Sequence, residues 1–251
     1  MQRKLTFVTD DVETVAEAVG RLRAIESSSG RNDGVVCFAR LYREVTEGVE
    51  ERLNGATFAN SPFLAALDVR FAGLFFSAFD TYTANPAHTP SAWRPLFHDR
   101  GRHGIAPLQF ALAGMNAHIN RDLPVALAET AHACGLELQL GSREHADFVR
   151  INTLLSLVEA RVKASFLTGW ASIADRLLHR VHRIDDVIAM WDIGQARDAA
   201  WTNGQALQQL RGQAELSAAF LATLDRMVGQ ASRGLLIPAD SALQRLGRLF
   251  S

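Results

Sequence analysis

The sequence predicts an all-α protein, a single multi-helix bundle over residues 1–251 with one long irregular loop. Three observations predict it. Apolar residues recur at helical spacing in segment after segment. Helix start and stop residues punctuate those segments. Strand-like alternation is nearly absent, "LELQL" at 136–140 being the one short candidate, an edge segment or coil.

Thr9 or Asp10 can cap a first helix running to about Glu26, before "SSSGRNDG" breaks it. A second helix, Val35 to Leu53, ends at Asn54-Gly55. In "NSPF", Ser61 can cap and Pro62 can take the first position of a third helix reaching about Thr83. Residues Asn85 to Gly104 hold three prolines and no sustained period, which marks a candidate lid. A fourth helix starts near Pro107; Pro124 either kinks it or opens a new helix capped by Asp122. Ser142 can cap a long helix through the Arg161 region, Asp185 or Asp186 can start the next, and a last one spans Ala214 to Gln230.

Composition narrows the function classes. With 48% hydrophobic and 21% charged residues the chain is no disordered tail, and a net charge of -1 gives no general pull toward nucleic acid or an anionic membrane. Cys37 and Cys134 form neither a zinc spacing nor a disulfide framework. The N-terminal stretch turns acidic before any run long enough for a signal peptide, and no uninterrupted apolar run approaches a membrane span. The expectation is a cytoplasmic protein.

Against this apolar background the stretch "GMNAHINRDLP", Gly114 to Pro124, is unusually polar. Leu108, Leu112, Met115, Ile119, Leu123 and Ala126 define its apolar arc. His118 and Asp122 lie together at one border, spaced i,i+4, and Asn116 lies past the other. Buried polar groups need partners, so the pattern predicts a structural hydrogen-bond network or a ligand contact. As a site, His118 would be acid/base or metal ligand, with Asp122 orienting or co-ligating.

Other segments supply further candidates. On the helix after Ser142, His145, Asn152 and Glu159 line one edge at spacings of seven. His145 or Asn152 could join His118 and Asp122, giving His118, Asp122 and His145 as a candidate set for a divalent metal. Asp68 projects among Leu64, Phe71, Phe75, Phe79 and Tyr82, so its carboxylate must be ion-paired with an inward Arg, protonated or metal-bound. Trp191, Asp198, Thr202 and Gln205 share a face that is either a pocket wall or an interhelical polar seam. The loop histidines His88, His98 and His103 have no recognised metal spacing.

"PLQFALAGMNAHINRDLPVAL", "HADFVRIN" and "WDIGQARDAAWTNGQAL" together resemble an uncharacterised, mainly actinobacterial family, domain of unknown function 5995. The resemblance implies a single helical domain and transfers no activity; its most specific residues are Asn116, His118, Asn120 and Asp122. No Gly-rich phosphate loop, Gly-x-Ser-x-Gly elbow, His-Glu-x-x-His motif or Rossmann fingerprint is present.

Two function classes remain. One is an enzyme acting on a small molecule between helices, with Asn116, His118, Asp122, His145 and Asp68 as candidate catalytic residues. Its chemistry would be metal-assisted hydrolysis or acid/base isomerisation or cyclisation. The other is a binding or interaction protein whose buried polar network is structural. An enzyme should bring side chains from separate helices to a hollow; a structural network should fill that space with mutual hydrogen bonds.

Overall fold

Thr14, rather than Thr9 or Asp10, caps the first helix, because a glutamate three residues on completes a reciprocal box. Thr14 Oγ1 accepts from the Glu17 N–H (3.2 Å) and Glu17 Oε2 accepts from the Thr14 N–H (3.2 Å). The computed structural model describes residues 12–53, 58–152, 155 and 192–238. Within them α1 spans Val15–Ser27 and α2 Gly34–Leu53, with Asp33 accepting the first N–H groups of α2. Helix α3 spans Ser61–Ala84; its cap is Asn60, one residue before the expected Ser61, since Asn60 Oδ1 accepts from the Phe63 N–H.

The chain continues through α4 (Arg94–Asp99), α5 (Pro107–Ala117), a π-helical turn (His118–Asp122) and α6 (Leu123–Ala133). Helix α7 begins at residue 143, capped by Ser142 as expected, and is described to residue 152. Helices α8 (Ile193–Gln209) and α9 (Ala214–Leu235) complete the architecture. The expected helix start at Asp185 or Asp186, together with Trp191 and Glu159, lies outside the described residues. All regular structure among the described residues is helical.

"LELQL" is coil. Side chains of α8 take the place of a neighbouring strand: Gln208 Nε2 donates to the Leu136 carbonyl, Gln205 Nε2 to the Leu138 carbonyl (both 2.7 Å), and Gln208 Oε1 accepts from the Leu138 N–H. Gln205 therefore belongs to a structural seam, and Asp198 and Thr202 face solvent beside it rather than a pocket.

Helices α1, α2, α3, α4, α5 and α9 enclose one apolar cluster, with Phe38, Phe75, Trp93, Leu96 and Phe97 at its centre. Helices α3, α6, α7 and α8 enclose a second, built on Phe63, Leu64, Leu127, Phe148 and Trp201. Phe71 and Met115 pack against both, so the seam between the clusters passes beside the π-helical turn. Helix α3 is long and apolar enough to cross a membrane by length and composition alone; here it supplies buried residues to both clusters.

The segment from Asn85 to Gly104 is not a lid. Ala92, Trp93 and Leu96 are wholly buried, and the Asp225 carboxylate of α9 accepts from the Ser91 (2.7 Å) and Ala92 (3.1 Å) N–H groups. Its prolines break helical periodicity without making the segment peripheral. His88, His98 and His103 are exposed.

Helices α2 and α5 approach closely at Gly114, where a Cβ would overlap the Phe38 ring. Gly114→Ala should therefore destabilise the fold by about 1–3 kcal/mol despite alanine's better helix propensity, as measured by urea unfolding. An unchanged midpoint would show that Phe38 can move aside.

Candidate active site

Pro124 has no N–H to donate and its ring disfavours a regular preceding turn. The backbone answers with the wider turn at His118–Asp122, in which the Leu123 N–H reaches the His118 carbonyl five residues back. Asp122 makes no side-chain cap; its carboxylate points inward. Its Oδ1 accepts from Arg121 Nη1 (2.7 Å), and its Oδ2 accepts from Trp93 Nε1 (2.9 Å) and meets His118 Nδ1 (3.1 Å). Asp122 is fully buried, and Arg121 is nearly so, lying also 3.7 Å from Asp225. Both carboxylate oxygens are thus occupied by N–H donors.

This arrangement fixes the chemistry of His118. A carboxylate facing Nδ1 holds the imidazole proton there, leaving the lone pair on Nε2. Burial lowers the imidazole pKa, opposed by Asp122, so the ring is held neutral over most of the physiological range. The ring stacks on Phe71 (centroids 3.5 Å, planes 7° apart) and meets the Tyr42 edge at 4.5 Å. Nε2 is buried and has no hydrogen-bond partner among the described residues.

Two further buried atoms nearby, the Tyr42 hydroxyl and Asp68 Oδ2, also lack hydrogen-bond partners among the described residues. Asp68 precedes Phe71 by one turn of α3. Although the residue as a whole is partly exposed, Oδ2 is shielded from solvent. Burial and the nearby Glu50 carboxylate push the Asp68 carboxyl up to about 7, against the opposing influence of Arg197. The Tyr42 phenol is also pushed up, by burial and then by Asp68. Neither Arg40 nor Arg43, the described arginine side chains of α2, pairs with Asp68. Arg43 is engaged by Glu26 (2.5 Å) and Glu47 (2.7 Å), and Arg40 lies 4.0 Å from Glu26.

The other sequence candidates lie elsewhere. Asn116 straps α5 to α9, its Nδ2 donating to the Val228 carbonyl (3.0 Å) and Ser232 Oγ (2.9 Å) while its Oδ1 accepts from Asn120 (3.0 Å). All of these bonds are structural. His145 sits against Trp201 (4.9 Å) and its Nδ1 accepts from the Gly141 N–H, away from the His118 cage. The metal set of His118, Asp122 and His145 is therefore not assembled. Asp122 is committed to cationic and N–H donors, and no three His, Cys, Asp or Glu side chains converge among the described residues.

Sequence reasoning missed Tyr42 and Arg197. Arg197 is 6% exposed and sits mid-stripe on α8, among Ile193, Ala200, Trp201, Gly204 and Leu207. A charge on an apolar stripe was the available signal, the same one that singles out Asp68. Tyr42 follows Phe38 by one turn on the buried face of α2 and reads there as ordinary core.

The fold and this centre define a helical protein with a buried Asp–His dyad whose outer imidazole nitrogen is uncommitted. The chain belongs to the family of unknown function DUF5995, whose sequence profile matches residues 15–238. No curated protein and no solved structure matches it.

Asp122→Asn leaves Arg121 buried beside a neutral amide and should cost about 3–5 kcal/mol in urea unfolding. Trp93→Phe deletes a single donor and should cost about 1–3 kcal/mol. Nitrogen-15 NMR should find the His118 proton on Nδ1 and a titration midpoint below 6.5. The stability tied to that neutral ring is then present above pH 6.5 and lost as pH falls below it, because the unfolded imidazole takes up a proton that the buried one resists. A midpoint at or above 6.5 would contradict this.

Proposed function

We propose that the protein is a cytoplasmic acid/base enzyme acting on a small organic molecule, with neither nucleic acid nor membrane as its target. The carrying observation is the unpartnered lone pair on buried His118 Nε2, whose opposite nitrogen is locked by Asp122. A buried acceptor left bare costs stability, and such an atom marks a catalytic role or a place completed by water, an ion or a ligand.

Asp68 supplies the complementary group. With its carboxyl near 7 and His118 below 6.5, there is a pH interval in which the imidazole is a neutral base and the carboxyl a neutral acid. His118 Nε2 takes a proton from the substrate while Asp68 or the neutral Tyr42 hydroxyl gives one to the developing oxyanion. The imidazolium then either returns its proton to a different atom of the substrate while the substrate hydroxyl gives its proton back to the group that supplied it, or passes its proton through water to that group; on either route both groups are restored. The net chemistry is isomerisation or cyclisation without an external oxidant or hydride donor.

A binding or interaction protein is favoured by one set of observations: Asn116 and Asp122 have their hydrogen bonds filled by protein. Incubation of the purified protein with a small-molecule cell extract, read by mass spectrometry, separates the two readings. The enzyme should deplete at least one compound, His118→Gln should lose at least about 100-fold of that rate, and Asp68→Asn should remove the alkaline limb of its pH profile. For the wild type the rate should rise as His118 loses its proton below pH 6.5 and fall as Asp68 ionises around 7. Equal depletion by wild type and His118→Gln would end the enzymatic reading.

A further inference from the structure

Among the described residues Arg197 is a buried cation without an ion-paired anion. Nε donates to Asn152 Oδ1 (2.6 Å), Nη2 donates to the Phe148 carbonyl (3.1 Å), and the guanidinium lies 4.0 Å over the Phe148 ring. All three partners are neutral. Among the described residues its hydrogen bonds are these two, from Nε and Nη2, and no carboxylate lies within ion-pairing distance. Buried guanidinium groups are normally matched by a carboxylate or phosphate, because desolvating the charge is otherwise uncompensated. Burial accordingly pulls the Arg197 pKa down to about 9.

The neutral partners leave the outer edge of the fork, Nη1 and the second hydrogen of Nη2, uncommitted, and that edge matches a planar carboxylate in bidentate geometry. Trp201, one turn further along α8, packs on the same Phe148 ring at 5.0 Å, and its Nε1–H is also buried without a partner. Asp68 is close enough to interact electrostatically with Arg197, which ties this cation to the end of the site where Asp68 and Tyr42 are unpartnered. We infer that Arg197 is the anchor for a substrate carboxylate, so that the molecule presented to His118 is a small organic acid. This rests on the acid/base reading of the site, to which it adds the substrate class.

The arrangement has a chemical consequence for Asp68. A substrate carboxylate seated on Arg197 places a second negative charge near Asp68 and favours its protonated form, so binding itself would arm the acid.

The test uses benzoate as probe, with benzamide as neutral counterpart and inorganic phosphate as the competing anion, on the full-length protein. Benzoate should shift the Arg197 side-chain nitrogen-15 signals saturably while benzamide does not. Arg197→Gln should weaken benzoate at least tenfold, with Arg197→Lys intermediate. His118→Gln should retain benzoate binding, which separates this anchor from the acid/base centre: loss of turnover in His118→Gln with binding intact supports both. Retained turnover with Arg197-dependent binding sinks only the acid/base reading. Arg197 signals unmoved by benzoate in the wild type, or moved by phosphate alone, would overturn the proposal, and this readout holds even where Arg197→Gln does not fold.

Discussion

A carboxylate taken out of water must find several donors or cost several kcal/mol, and Asp122 finds three, two from its own turn and one from a remote segment. Trp93 comes from the segment before α4, Arg121 from the adjacent position and His118 from the start of the same turn. Each donor is thereby located by the charge it satisfies. Arg121 in turn lies near Asp225, which holds the Ser91 and Ala92 backbone next to Trp93. The loop before α4, the π-helical turn and α9 are therefore closed into one circuit of charge-assisted bonds and a looser Arg121–Asp225 ion pair.

That circuit explains why the catalytic proposal falls on His118 and not on Asp122 or Asn116. Both oxygens of Asp122 are filled by donors from Trp93, Arg121 and His118, whereas the outer nitrogen of His118 is bare beside Tyr42 of α2 and Phe71 of α3. The boundary runs through a single imidazole ring. One nitrogen belongs to the framework and the other faces the seam between the two apolar clusters, where Phe71 fixes the plane of the ring. Rigid support from behind and an open valence in front is the arrangement that pre-organised acid/base sites require.

The helical architecture was legible because local signals act locally. Ser142 caps α7 through a hydrogen bond within one turn, and Pro107 opens α5 through its fixed φ. The His118–Asp122 contact was legible for the same reason, both residues being on one turn. Asp68 stood out as a carboxylate among aromatics, yet its neighbour proved to be Arg197 from α8, and long-range identity of that kind is not encoded in helical spacing. The segment from Asn85 to Gly104 misled because proline removes periodicity whether a segment is exposed or buried; Trp93 and Phe97, both large and apolar, were the contrary signal within it. Likewise Asn116 has the polarity of a site residue, and only the position of Val228 and Ser232 reveals it as a strap.

Those straps bear on how the molecule assembles. The bonds from Asn116 to Val228 and Ser232 close loops of 112 and 116 residues, and that from Ser91 to Asp225 one of 134. Ordering so much chain before any contact rewards it slows the search, so the nucleus should form among α1, α2 and α5, whose neighbours are closer in sequence. During synthesis the amide of Asn116 leaves the ribosome long before its acceptors exist. Until α9 arrives it must be solvated by water, and the framework behind the imidazole stays unfinished through most of translation.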